Sequence, residues 1–183
     1  MLSDEELMNN LKGNHLDAFD ELYHRWSGAL YQFIFLYMKD KQLTEDILQE
    51  TFTRVYLKRC SYNQDKSLFK TWIHRIAYRL CVDHHRKHSK YTSVNLDHNH
   101  HLLPDSAGAD QEAVNRIFID HLLSSLSREE QAIIILTYYQ DFPTKEIANI
   151  LKMPIGTIKS KRHYIFKKLN KKFRSGADRD EYI

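Results

Sequence analysis

Residues 144–169 read TKEIANILKMPIGTIKSKRHYIFKKL, and the fold turns on this stretch. Ile147, Ala148 and Leu151 recur at helical spacing and make the inner face of a short helix over about 144–151. Ala148 is small where two helices must approach closely. Lys152, Met153 and Pro154 make a turn, because Pro cannot continue the helix before it. A second helix opens at Gly156 and Thr157, where the Thr157 hydroxyl can cap exposed amides. Ile158, Ile165 and Leu169 point inward in that helix, which leaves Lys159, Ser160, His163 and Tyr164 outward near its N-terminus. In a helix-turn-helix those positions reach base edges in the major groove. Lys161, Lys167 and Lys168 are placed to neutralise phosphates, a salt-dependent and sequence-blind contribution. The competing reading is a cationic amphipathic helix lying on a protein surface. Residues 152–174 hold nine Lys/Arg and no acid, which favours a polyanionic partner.

Helical spacing extends upstream over most of the chain. Ser3 and Glu6 are placed as a capping box for a helix over about 3–12. A second helix covers about Leu16–Tyr37, with Phe19, Leu22, Tyr23, Trp26, Leu30, Phe33, Ile34 and Tyr37 on one broad stripe. A third covers about Thr44–Lys58, with Thr44 as its N-cap and Ile47, Leu48, Thr51, Phe52 and Val55 inward. After a polar loop from Cys60 to Lys66, Ser67 reads as the cap of a fourth helix over about Leu68–His88. Its stripe is Phe69, Trp72, Ile73, Ile76, Ala77 and Leu80. Periodicity then fails between 89 and 111, a segment rich in Ser, Asn, Asp and His with Pro104 and Gly108. It resumes with Val114, Ile117, Phe118, His121 and Leu122, and a further helix over about Arg128–Tyr139 follows Ser127 as cap. The expected fold is all-α, with two small helical domains over 1–88 and 112–175, a flexible linker over 89–111 and a frayed tail over 176–183.

Composition narrows the function classes. The chain has 183 residues, with 42% apolar and 28% charged side chains, enough to bury a core. Five Gly and three Pro argue against Gly-rich nucleotide folds and all-β architectures. No apolar run is long enough to span a bilayer, so no membrane insertion is expected. The start Met1-Leu2-Ser3-Asp4-Glu5-Glu6 does not read as a secretory signal, and a cytoplasmic location is expected. Cys60 and Cys81 make no disulfide framework. His98, His100 and His101 cluster without Cys or helical pairing, so no metal or other cofactor is expected. No Ser-His-Asp order, Gly-rich phosphate loop or HExxH is present, so no catalytic residue is assigned and an enzyme is not expected. Charge alternates along the chain. Residues 1–59 carry 10 acids and 7 bases, residues 70–90 six bases and one acid, and residues 91–130 seven acids and two Arg. Two basic segments on one chain fit two contacts with a polyanion, or two unrelated solvated faces.

Two more surfaces stand out. In the third helix Asp46, Gln49, Glu50 and Thr53 fall at i, i+3, i+4 and i+7, a polar acidic stripe opposite the apolar one. It suits docking on a basic partner, although an ordinary solvated face has the same pattern. In the fourth helix Arg75, Arg79, Val82 and Arg86 lie away from Trp72 and Ile76, at a spacing able to follow a phosphate backbone. Trp72 belongs to the core stripe. Tyr78 lies off it and is the better candidate for stacking. The loop before this helix holds Tyr62, Asn63 and Gln64, an aromatic ring beside two amides.

These segments resemble a known family. Leu126-Ser127-Arg128-Glu129-Glu130-Gln131, then Lys145-Glu146-Ile147-Ala148 and Pro154-Ile155-Gly156-Thr157-Ile158-Lys159-Ser160-Lys161, resemble domain 4 of extracytoplasmic-function sigma factors, the small group of the bacterial sigma-70 family. Independently, Thr44-Glu45-Asp46-Ile47-Leu48-Gln49-Glu50-Thr51-Phe52 resembles the polymerase-binding helix of sigma domain 2. Phe69-Lys70-Thr71-Trp72-Ile73-His74-Arg75-Ile76-Ala77-Tyr78 and Asp83-His84-His85-Arg86-Lys87 resemble its promoter-melting and −10-reading helix. The chain departs from the family's usual pattern at Arg79, at Arg162 and at Tyr164-Ile165-Phe166.

The resemblance implies a subunit that binds core RNA polymerase, directs it to promoters and helps open the duplex. It implies docking of Asp46, Gln49, Glu50 and Thr53 on the clamp helices of the beta-prime subunit, and a further contact with the beta flap. Tyr62, Asn63, Gln64, Arg75, Tyr78, Arg79 and Arg86 would meet the −10 element, the loop residues forming a pocket for an extruded base. Thr157, Lys159, Ser160, Lys161, His163, Tyr164 and Lys167 would meet the −35 element. An anti-sigma factor is a further expected partner. The two promoter boxes lie roughly 70 Å apart, about two helical turns. A linker of about 23 extended residues reaches about 80 Å, far enough to serve both. The alternative is a stand-alone helix-turn-helix regulator that never touches polymerase, and the acidic stripe discriminates between the two.

Overall fold

The computed structural model describes residues 1–91 and 123–177, and every described element is helical. The expected linker beyond Tyr91, the face from Val114 to Leu122, the His98, His100 and His101 cluster and the tail beyond Ala177 lie outside the described residues. Among the described residues there are seven α-helices: α1 (Asp4–Lys12), α2 (Asp17–Met38), α3 (Lys41–Leu57), α4 (Phe69–Tyr91), α5 (Arg128–Ile134), α6 (Thr144–Leu151) and α7 (Ile155–Ala177). They divide between two compact units, an N-terminal one with α1 to α4, which also takes in residues 149–152, and a C-terminal one with α5, α7 and the rest of α6.

In the N-terminal unit, α1 opens with the expected capping box. The Ser3 hydroxyl accepts from the Glu6 N–H and the Glu6 carboxylate accepts from the Ser3 N–H. Its buried Leu7, Met8 and Leu11 face α2. Asp4 fixes the helix in place by accepting from Arg25 at 2.7 Å and from the Trp26 indole at 3.0 Å. The core of the unit is the apolar face of α2 against α3 and α4, with Leu22, Leu30, Phe33, Ile34, Val55, Phe69, Ile73 and Ala77 all but inaccessible. Burying one such large side chain contributes about 1.5–3 kcal/mol, whereas an exposed ion pair such as Glu50–Arg54 contributes about 0.2–1 kcal/mol, so packing holds this unit together. Trp72 is buried, as its stripe position requires, and so are Thr71 and His74. Three residues of the α2 stripe differ from expectation, Phe19 being half-buried. Tyr23 is exposed and lays its ring 4.7 Å from that of Phe52, while Trp26 is half-buried with its N–H on Asp4.

The start of α3 also differs. Asp40, not Thr44, is the N-cap: it is extended (φ −140°, ψ 125°) and its carboxylate accepts from the Leu43 N–H at 2.9 Å. Thr44 is already inside the helix, fully buried, with its hydroxyl donating to the Asp40 carbonyl. Lys39 at φ 60° ends α2 one residue earlier, so two residues make the whole connection.

In the C-terminal unit, α5 begins with a second capping box, Ser127 with Glu130. A wide π turn over Ile135–Tyr139 continues it, with the Gln140 N–H donating to the Ile135 carbonyl. The helix α6 ends at Lys152, which takes φ 54° while the Met153 N–H returns to the Ala148 carbonyl at 3.0 Å. This is a Schellman-type stop built without glycine. The next helix begins at Ile155, immediately after Pro154, whose carbonyl accepts from the Ile158 N–H. Thr157 therefore sits in the first turn and is not the cap expected of it.

Candidate nucleic-acid interface

The helix α7 presents two faces. Ile158 and Ile165 are fully buried. Lys159, Ser160, His163, Tyr164 and Lys167 are exposed together on the opposite side, and Thr157 is half-buried. The Ser160 hydroxyl donates to the Thr157 carbonyl at 3.1 Å and keeps its lone pairs outward. Arg162 donates to the Thr144 hydroxyl at 3.0 Å, which ties the first residue of α6 to α7 and fixes the angle between the two helices. Two lysines assigned to phosphates have carboxylate partners. Lys161 meets Glu129 at 2.9 Å and Lys168 meets Glu130 at 3.4 Å. Sequence reading did not find these partners, because both lie on α5, far away in the chain.

In the N-terminal unit, Asp46, Gln49, Glu50 and Thr53 are all exposed on one side of α3. Thr53 donates to the Gln49 carbonyl and Glu50 pairs with Arg54 along the helix at 2.8 Å. The opposite side of α3 is committed to the core through Ile47, Thr51, Phe52 and Val55. The stripe is thus an open, acidic, laterally stable strip.

The helix α4 carries Arg79 and Arg86 in the open, with Asp83 between them at 3.9 Å and 3.4 Å. Arg75 is half-buried. Tyr78 is also half-buried, with its ring edge-on to Tyr37 at 5.9 Å. In the loop before α4, Asn63 and Gln64 are exposed, and the Asn63 side chain accepts from the Asp65 N–H at 2.8 Å, an Asx turn. Tyr62 stands apart from them. It is 3% exposed, packed 5.1 Å from Trp72 and 6.0 Å from Phe69, and Lys12 lies 5.4 Å from its ring centre. Burial, and then the neighbouring Glu5 carboxylate, push its phenol well above the ordinary value. The structure does not offer this ring to a stacking partner, because Trp72, Phe69 and Lys12 already cover it. Of Tyr62, Asn63 and Gln64, the loop leaves the two amides exposed.

The pattern of the Sigma-70 region 2 family matches residues 22–91, and that of Sigma-70, region 4 matches residues 122–171. The ECF RNA polymerase sigma factor SigX of Bacillus subtilis (strain 168) is 30% identical over 164 residues, covering 85% of this chain and 83% of SigX. The chain belongs to the extracytoplasmic-function group of the sigma-70 family. A second relative, SigM of the same organism, is 30% identical over 143 residues, 77% of this chain and 86% of SigM. Two solved structures share the fold of this sigma factor. CnrH in complex with the cytosolic domain of CnrY has a TM-score of 0.72 at 17% identity, covering 94% of this chain and 97% of CnrH. RpoE in complex with the anti-sigma factor NepR from Bartonella quintana has a TM-score of 0.71 at 22% identity, covering 85% and 96%. Among the described residues of this sigma factor, no helix is long and apolar enough to cross a membrane.

Proposed function

We propose that this sigma factor directs promoter-specific initiation by dividing its contacts between its two units. Residues 1–88 bind core polymerase and read and melt the −10 element. Residues 112–175 read the −35 element, and residues 89–111 tether the two. In the first unit the stripe Asp46, Gln49, Glu50 and Thr53 docks on the clamp helices of the beta-prime subunit. Arg75, Tyr78, Arg79 and Arg86 follow the −10 DNA, with Asn63 and Gln64 taking a base edge. In the second unit Lys159, Ser160, His163 and Tyr164 face bases, while Thr157, Lys161 and Lys167 face phosphates. Lys161 must exchange Glu129 for a phosphate, which makes its contribution depend on salt. The beta flap holds this second unit, an anti-sigma factor restrains the free protein, and the protein works in the cytoplasm. Nucleotide addition itself belongs to the polymerase.

The observation that carries this reading is the open acidic stripe on α3, in the unit matched to sigma-70 region 2. A DNA-binding regulator acting alone has no use for it. Asp46→Arg with Glu50→Arg reverses the charge of the stripe without touching the core. The double variant should keep its helical circular dichroism and lose co-purification with core polymerase. Undiminished co-purification would mean that the stripe is only solvated surface, and the stand-alone regulator would then be the better account.

A further inference from the structure

The helix α1 lies outside the residues matched to region 2, yet it grips the loop that precedes α4. One carboxylate oxygen of Glu5 accepts from the backbone N–H of Phe69, the first residue of α4, at 3.1 Å. The same oxygen lies 3.5 Å from the Tyr62 hydroxyl. Lys12, at the other end of α1, lies over the Tyr62 ring. Both ends of the segment from Tyr62 to Phe69 are therefore fixed to one side chain, and the exposed Asn63 and Gln64 lie between them. The shorter contact dominates. It joins an ionised acceptor to one of the N–H groups that every helix leaves unpaired at its start. Glu5 is not needed by its own helix, because Ser3 and Glu6 complete the capping box of α1 and Asp4 anchors it to α2.

We propose that Glu5 is a positioning residue for the −10 loop, holding Tyr62 and the start of α4 so that Asn63 and Gln64 meet an extruded base in a preset shape. This rests on the reading of that loop given above. Extruding a base costs free energy that only well-placed contacts recover, so loosening the loop lowers discrimination between bases before it lowers anything else.

The test uses the full chain with purified core polymerase on templates that differ by single −10 bases, chosen as the best and worst for the unaltered protein. Glu5→Ala is expected to reduce the ratio of run-off transcript between those templates about tenfold, the scale of a lost charge-assisted bond, with core affinity within about twofold. Glu5→Gln keeps a carbonyl oxygen for the Phe69 N–H and should restore most of the ratio. If Glu5→Ala loses its helical signal, Glu5→Met decides, since it keeps the length of the side chain and removes the acceptor of the Phe69 N–H. A lowered ratio supports the proposal and an unchanged one overturns it. A fall in core affinity in step with all templates would make Glu5 a stabiliser of the fold and no more, which also overturns it. If the unaltered protein itself shows no preference among −10 bases, the reading of the loop fails first, and that result is distinct from a failure of Glu5 alone.

Discussion

Glu130 is 8% exposed, a buried carboxylate with the Lys168 ammonium 3.4 Å away. Burial raises its pKa, but the Ser127 N–H at 2.7 Å, the Lys168 ammonium and the Ser127 hydroxyl together lower it more, leaving it below its ordinary 4.5. A carboxylate whose folded pKa is depressed stabilises the fold above the unfolded value, and that contribution disappears as pH falls through the folded value. At neutral pH, Glu130→Gln should cost the C-terminal unit about 1–2 kcal/mol. Below the ordinary carboxylate range the gap between the two proteins should close. Denaturant titrations at pH 7 and at pH 3 check this, and a gap of equal size at both would contradict it. Other single residues divide by how far away their partners are. The α3 stripe was legible because i, i+3, i+4 and i+7 can be counted within one helix. Tyr62 was not, because an aromatic ring in a polar loop carries no local sign that Trp72 and Phe69 will enclose it. Glu5 was silent for the same reason, since its partner Phe69 is 64 positions away.

At the scale of elements, the helices followed from apolar periodicity and two of their starts from caps, the capping box of Ser3 with Glu6 and the cap Ser127, whose box partner Glu130 only the structure supplies. Helix ends were harder. Glycine is the usual signal for the left-handed residue that stops a helix. Here that conformation is taken by Asn14, Lys39, Asp141 and Lys152, and by no glycine among the described residues. The sequence consequently hides its stops, and Asp40 passed unnoticed as a cap because nothing before it marked the end of α2. A lysine at φ 54° crowds its Cβ against its own backbone, at about 1–2 kcal/mol. Lys152→Gly should relieve this and, after the entropy that glycine adds to the unfolded chain, stabilise the C-terminal unit by about 0.5–1 kcal/mol in denaturant titration. A loss of stability would mean that the Lys152 side chain contributes a contact worth more than the strain.

For the whole molecule, the alternation of acidic and basic segments was legible in the sequence, and it falls as acid on α3 and base on α4 and α7. What charge could not give was which cations are committed. Lys161 and Lys168 count as positive in any sum, yet each meets a carboxylate of α5, while Lys159 stands open. The separate surfaces become one function only when core polymerase presents both units to a promoter. Run-off transcription with purified core polymerase on a promoter library measures that directly. The account predicts start-site-specific RNA that requires both promoter boxes, with Lys159→Ala and Ser160→Ala reducing use of the upstream box more than affinity for core. Absence of start-site-specific RNA from every template would contradict it.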